Sequence, residues 1–338
     1  MSIGLDIGSK TIKVVELVKE GSGWRLKASG VISYKGVTPE HMQEDKDFVP
    51  LVDAIKKLYK EAKISSKDVA IALPEPQVFT RSIKFPLLSD AEISSAVKWE
   101  AEQYIPIPVN EAVIQHQIIE KQEDASPPQT VVLLIAAPKE LVEKYAKLVQ
   151  MSGLNLIAVE TGLMSLVRAH APDDQVVLVV NFGARSTDIA ISKNGQLIFS
   201  RSVATAGEAF TRAVSQVLGV EEQQAEEYKR AYGLSSTQLE GRIKKALEPI
   251  FRLVADEMRK AIHFYQSEEK GESPRSAILT GGTAGMPEAA SALTKLLGIE
   301  VVVGNPFLKV AIDPQAVKAL AGYAPLYSIA VGLAMREG

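Results

Sequence analysis

Cysteine is absent from the 338 residues, which excludes both a disulfide framework and a thiolate metal centre and suits a reducing compartment. Histidine is scarce: there are 4 residues without ligand spacing, so His116 and His263 read as structural. There is no excess of positive charge either. Lys plus Arg is 38 against 41 Asp plus Glu, a net charge of −3, so nothing favours a phosphate backbone and nucleic acid is not an expected partner. No apolar run reaches spanning length. Asp6, Lys10 and Lys13 interrupt the N-terminal stretch, and the closing GLAMREG leaves no basic amphipathic helix, so no signal peptide, anchor or direct membrane insertion is expected. If the protein works at a membrane, something else must hold it there.

A chain of this length with 46% hydrophobic residues can fill two moderate cores. Residues 3–34 read as strands around glycine turns, followed by a helical pattern over 47–62 and a short buried strand from Asp68 to Leu73. Ser89 and Glu92 have capping-box spacing ahead of Ile93, Val97, Ala101 and Tyr104, and Pro106 and Pro108 must end that helix. Trp99 and Tyr104 read as core at this spacing. Strands are expected over 112–120 and 131–136, separated by the polar tract KQEDASPPQ, then a helix from Pro138 to Gly153. A second glycine-rich hairpin spans 176–203, helical stretches broken at Gly219 and Gly233 follow, and a strand over 277–280 runs into Gly281-Gly282. The order is mixed α/β.

The informative feature is a repeat. LDIGSKT at Leu5–Thr11 matches VNFGARST at Val180–Thr187, setting Asp6 against Asn181, Gly8 against Gly183 and Lys10 against Arg185. A glycine between strands lets backbone N–H groups approach a phosphate, so two such turns can hold one triphosphate from both sides. Asp6 stands where a carboxylate can hold hydrated Mg²⁺, and Ser9, Lys10, Thr11 and Thr187 are in reach of phosphate. The turn ILTGGTAGMPEAA places Gly281, Gly282 and Thr283 between a strand and a helix start, where backbone can pack closely on a ligand.

These blocks resemble the signature segments of the actin, Hsp70 and sugar-kinase superfamily: phosphate-1 at Gly4–Thr11, phosphate-2 at Val180–Asp188 and adenosine at Leu279–Pro287. The segment from Val159 looks like the first connecting helix and that from Tyr327 like the second. AEEYKRAYG resembles the superfamily's E-x-x-K-R helix, which implies that Glu226, Lys229 and Arg230 embrace the adenosine. WEAEQYIPIPVNEAVI from Trp99 is similar to the PilM family of type IV pilus assembly.

The implied architecture is a two-lobed actin/Hsp70-like (ribonuclease H-like) α/β fold with the inserted subdomain that this family shares with the division protein FtsA. Its segments are a first lobe over 1–78, the insertion over 79–158 and a connecting helix over 159–175. The second lobe then covers 176–210, a helical part 211–276 and the adenosine part 277–314, with a return to the first lobe over 315–338. The resemblance further implies a cytoplasmic protein that binds ATP and Mg²⁺ and holds the N-terminal tail of a PilN-like bitopic inner-membrane protein beside other pilus components. Self-association is left open. The tail's groove is expected between the insertion and the first lobe.

Asn181 stands where many superfamily members carry aspartate, so ATP binding is expected more firmly than turnover, with Glu160 as the candidate for positioning water. A helix-start carboxylate in solvent is the alternative for Glu160. An FtsA-like filament protein and a small-molecule kinase remain competing functions on this fold.

Overall fold

The computed structural model describes residues 2–267 and 271–337. Residues 1, 268–270 and 338, at the margins of the expected first, helical and last segments, lie outside the described residues. The chain opens with an antiparallel meander of β1 (Ser2–Ile7), β2 (Thr11–Glu20) and β3 (Gly23–Ser33). Helix α1 (Asp45–Glu61) then returns the chain so that β4 (Asp68–Leu73) lies parallel to β1. Next come β5 (Phe79–Pro86), α2 (Asp90–Tyr104), β6 (Ala112–Gln122) and β7 (Gln129–Pro138), and then α3 (Lys139–Met151), β8 (Asn155–Thr161) and α4 (Gly162–His170).

The second half repeats the plan. Strands β9 (Val176–Phe182), β10 (Thr187–Lys193) and β11 (Gln196–Val203) form a meander, followed by α5 (Gly207–Leu218), α6 (Glu222–Tyr232) and α7 (Arg242–Ser267). Strand β12 (Ser276–Thr280), α8 (Ala289–Leu297) and β13 (Glu300–Val303) complete its sheet. Strand β14 (Val310–Ala311), α9 (Pro314–Leu320) and α10 (Ser328–Ala334) close the chain. The sheet orders are β14-β3-β2-β1-β4-β8 and β11-β10-β9-β12-β13, with a small third sheet β5-β7-β6. The two large sheets share one topology: a meander whose first strand also pairs in parallel with a later strand.

Central strands β1 and β9 are buried on both faces and correspondingly apolar. Ile3, Leu5 and Ile7 face a core shared with α1 and α3, while Leu178, Val180 and Phe182 face one shared with α5 and α7. The other faces meet the two connecting helices: α4 packs on Val177 and Val179, and α10 lies against β1. A side chain at Gly4 would put its Cβ 2.0 Å from Ala330 O, and one at Gly332 would put it 1.9 Å from Ser165 O. Sheet, helix, helix and sheet are thus stacked with no room for a methyl group at either glycine.

Three boundaries differ from the sequence reading. The first connecting helix begins at Gly162, because Val159–Thr161 pair with β4 and Thr161 caps the helix by accepting from Met164 N–H. Helix α3 contributes Leu141, Tyr145 and Leu148 to the first-lobe core, so its amphipathic face assigns it there rather than to the insertion. The return to the first lobe begins before 315, since Val310 and Ala311 pair with Trp24 and Arg25. The inserted unit is therefore β5, α2, β6 and β7 around Ile83, Phe85, Ile93, Val97 and Leu134.

The expected Ser89/Glu92 capping box is present: Ser89 N–H donates to Glu92 Oε2 at 2.8 Å and Glu92 N–H to Ser89 Oγ at 3.4 Å. Trp99 is not core but 75% exposed, and Tyr104 is half-buried beneath Arg81, whose guanidinium carbon is 4.2 Å from the ring centroid. The insertion also touches the second lobe. Ser82 Oγ donates to Ile198 O at 2.6 Å, Lys193 pairs with Glu120 at 3.2 Å, and Leu133 packs among Val177, Val179, Ala190 and Leu197. Among the described residues no single helix is long and apolar enough to cross a membrane.

Gly332→Ala is expected to lower unfolding stability by about 1–3 kcal/mol through overpacking, read by urea denaturation. A pH effect follows from His170, buried in the same layer with Nε2 2.9 Å from Ser328 Oγ. Burial, with Lys309 nearby, holds its pKa down to about 4 from the ordinary 6.5. Since the folded value is the lower one, the unfolded chain binds the proton first. Stability is whole above about pH 6.5 and is lost as pH falls toward 4. His170→Gln is expected to flatten that limb in urea midpoints measured from pH 7 to 4.

Candidate functional site

The two meander turns face each other across a cleft of about 1270 Å³ between the lobes. On the first-lobe side, Gly8 N–H donates to Thr11 O at 3.1 Å and Tyr34 Oη donates to Gly8 O at 3.1 Å, fixing the tip. A Cβ at Gly8 would come 2.9 Å from Lys13 Nζ and 3.0 Å from Thr11 O, so a side chain there would crowd the turn and the lysine tip. On the other side, Gly183 N–H donates to Ser186 O at 3.0 Å. Lys10 and Arg185, the matched cations of the repeat, converge on one carboxylate, Glu208, at 3.5 and 3.7 Å. The two cations are exposed and Glu208 is half-buried, so these long bridges are weak and yield readily to a stronger anion.

Asp6 and Lys13 are register partners on β1 and β2, and they pair at 2.9 Å with side chains only 10% and 9% exposed. The sequence reading passed over Lys13, although period-two alternation from Thr11 puts it beside Asp6. In the second lobe the equivalent register pair is Asn181 with Asp188. Asn181 Nδ2 donates to Asp188 Oδ2 at 3.2 Å, Ser186 Oγ donates to the same oxygen at 3.2 Å, and Ser202 Oγ donates to Oδ1 at 2.6 Å. Burial raises the Asp188 pKa against these hydrogen bonds, which lower it.

From the first lobe Glu75 completes this corner, just beyond the end of β4. Its Oε1 accepts from Leu163 N–H at 2.6 Å, where α4 begins. Burial and the nearby Asp188 push Glu75 up to about 8, despite the Leu163 and Thr161 hydrogen bonds. Nothing in PEPQ marked Glu75 in the sequence, because the strand end that brings it into the cleft with the glycine turns is a tertiary fact.

The adenosine block and α6 form the far wall. Gly281 has φ +87°, and a Cβ there would lie 2.5 Å from both Asn181 Oδ1 and Phe182 O. Thr283 N–H donates to Phe182 O at 3.2 Å. Lys229, almost fully buried, donates to Gly207 O at 3.2 Å and to Glu226 Oε2 at 2.6 Å, while Arg230 donates to Glu226 Oε1 at 2.8 Å. Burial raises the Glu226 pKa, but hydrogen bonds from Lys229 and Thr211 outweigh it and hold it at about 2.

Asp6, Gly8, Ser9, Lys10, Thr11, Asn181, Gly183, Arg185, Glu226, Lys229, Arg230, Gly281, Gly282 and Thr283 all line the cleft. Two candidates do not. Thr187 is fully buried and donates to Thr205 O at 2.6 Å, because strand alternation turns it into the protein. Glu160 lies on β8 facing away from the cleft, clamped by Arg168 with Nη1 and Nη2 at 2.6 and 2.8 Å from its two oxygens. Moving the helix start to Gly162 is what carries Glu160 out of the site.

The residues fit a hydrated divalent cation rather than one ligated directly. Among the described residues Glu75 and Asp188 are buried carboxyl groups without a cationic partner, and no set of three or more His, Cys, Asp or Glu could hold a metal.

A second cavity of about 1160 Å³ lies between the insertion and the first lobe. Its walls include Val113, Gln115, Gln117 and Ile135 from the insertion, Val159 and Met164 from β8 and α4, and Trp24 and Met335. Glu160 and Arg168 stand on its rim, Arg168 also donating to Gly332 O at 2.7 Å. Leu73 and Val78 line both cavities, so the turn between them is a shared wall.

Duplicated sheets with paired glycine turns across a cleft define the actin-like ATPase fold. The structure of MreB5 of Spiroplasma citri bound to AMPPNP shares that fold with a TM-score of 0.55 at 12% identity, over 98% of this chain and 93% of that one. The chain belongs to the type IV pilus assembly protein PilM family, whose model matches residues 4–338. A chain of a PilM–PilN type IV pilus biogenesis complex superposes with a TM-score of 0.84 at 29% identity, covering 99% of this chain and 98% of that one. The cell division protein FtsA of Pseudomonas aeruginosa is 24% identical over 392 residues, spanning 99% of this chain and 88% of FtsA.

Gly281→Ala is expected to cost about 1–3 kcal/mol from the left-handed φ and the clash with Asn181. It should also remove any stabilisation by adenine nucleotides, measured as the thermal midpoint with and without ADP.

Proposed function

We propose that this type IV pilus assembly protein is a nucleotide-responsive scaffold. It binds Mg-ATP in the interlobe cleft and the N-terminal tail of a PilN-like bitopic inner-membrane protein in the groove beside the insertion. That partner keeps it on the cytoplasmic face of the inner membrane. The phosphates lie between the Gly8 and Gly183 turns, where the Lys10 and Arg185 side chains converge. The adenosine lies against Gly281, Gly282 and the Glu226–Arg230 segment.

The groove suits an extended apolar segment. Its walls combine Val113, Ile135, Val159, Met164 and Met335 with outer strands β6 and β8, whose free edges can pair with added backbone. The observation that carries the coupling is mechanical. One wall belongs to the insertion, which is fastened to the second lobe through Ser82, Glu120 and Leu133, and the opposite wall belongs to the first lobe. A nucleotide that draws the lobes together therefore changes the spacing of the groove walls, which is a differential interaction of the kind coupling requires.

Asp6 and Lys13 neutralise one another at the cleft wall. Asp6→Ala releases Lys13 and removes the first-lobe carboxylate beside the phosphate turn. It is expected to weaken Mg-ATP stabilisation while leaving the fold intact.

The test crosses Mg-ATP with a synthetic peptide copying the cytoplasmic N-terminus of the partner and reads thermal unfolding. Each ligand at 100 times its Kd is expected to stabilise by about 2.7 kcal/mol, with the peptide's shift changing when Mg-ATP is present. A peptide shift independent of nucleotide would leave an adaptor without coupling, and silence from both ligands would defeat the proposal.

A further inference from the structure

The turn from Leu73 to Val78 divides the nucleotide cleft from the groove, and Glu75 sits within it. Only 7% of Glu75 is exposed, and its carboxylate joins two things: the corner occupied by Asp188 and the Leu163 N–H at the head of α4. Helix α4 is itself shared, with Leu163 and Leu166 lining the cleft and Met164 and Arg168 lining the groove.

Charge balance singles this corner out. The cations around the cleft are already engaged: Lys13 with Asp6, Lys10 and Arg185 with Glu208, Lys229 and Arg230 with Glu226, and Arg201 with Glu257. Glu75 and Asp188 approach from opposite lobes with only neutral hydrogen-bond donors around them. Two buried carboxyl groups lining one cleft are stable when they share a proton or a cation. Asp6, the metal candidate from the sequence, is instead neutralised by Lys13.

We propose that Glu75 is the first-lobe positioning residue for the hydrated divalent cation that accompanies the nucleotide, holding its water shell jointly with Asp188. Its bond to Leu163 then ties cation occupancy to α4, the helix that borders both cavities. The inference rests on the nucleotide reading above. Magnesium retains several waters and takes few direct protein oxygens, so carboxylates placed to receive hydrogen bonds from those waters suffice.

The test uses the full chain with ADP as ligand, in Mg²⁺ and in EDTA, followed by calorimetric titration. Glu75→Gln keeps an oxygen for the Leu163 N–H and removes the charge. The variant is expected to fold with unchanged or higher stability and to bind ADP in EDTA as the wild type does. The gain in affinity on adding Mg²⁺ should fall on the order of tenfold, as outer-sphere metal partners typically contribute. A merely structural cap would shift stability and both affinities together.

If Glu75→Gln keeps the whole Mg²⁺ gain, the role of Glu75 is overturned while nucleotide binding stands. If the wild type does not bind ADP in either condition, both readings fall. Should Glu75→Gln not fold, Asp188→Asn carries the same criterion: loss of the Mg²⁺ gain supports the shared seat, and its retention overturns it.

Discussion

Everything in this molecule hangs on the close crossing of α4 and α10 between the two large sheets. Ser165 O would lie 1.9 Å from a Cβ at Gly332, and Ala330 O would lie 2.0 Å from one at Gly4, so backbone touches backbone through the centre. Interiors packed at this density transmit displacement rather than absorb it. The separation of the Gly8 and Gly183 turns, and hence the width of the cleft, follows from that contact. So does the burial of His170 against Ser328 and the anchoring of Arg168 on Gly332 O.

The insertion gives the fold its second cavity without disturbing the first. It leaves the first lobe after β4 and returns at α3, which rejoins the first-lobe core through Leu141, Tyr145 and Leu148. Its own core around Ile93, Val97 and Leu134 makes it a separate packing unit. Yet Leu133, on the opposite face of the same strand, packs with the second lobe. One strand, β7, therefore serves two cores by alternation, and the unit rides on the second lobe while forming a wall against the first.

The cleft's electrostatics are arranged in pairs. Exposed cations Lys10 and Arg185 share Glu208 across the mouth, a contact that an entering anion displaces at little cost. Deeper, Lys229 donates to Glu226 at 2.6 Å and to Thr211 at 3.1 Å, and the group belongs to the wall rather than to an exchangeable shell. Between these zones, among the described residues, the Glu75 and Asp188 corner holds two buried carboxyl groups and no cation, and it lies at the turn that separates the two cavities.

Short-range pattern was enough for much of this. The glycine turns with their matched Asp6 and Asn181, Lys10 and Arg185, the Ser89 capping box, and the second hairpin over 176–203 are all set by neighbours within a few residues, and each is read from spacing alone. The duplicated topology follows from that repeat, because equal local signals build equal meanders. What failed depended on contacts distant in the chain. Val159–Thr161 are compatible with a helix or a strand, and pairing with β4 decides for a strand, with Glu160 bound by Arg168. Trp99 has helical spacing for the core, but its side chain is 75% exposed on a face of α2 that, among the described residues, no element covers. Glu75 has no sequence signature at all. The residues by themselves determined the two phosphate-type turns and the repeat that sets them opposite one another. Only the tertiary structure decided which carboxylates share the space between those turns, since that depends on two lobes whose strands are joined through a helix crossing rather than through adjacent sequence.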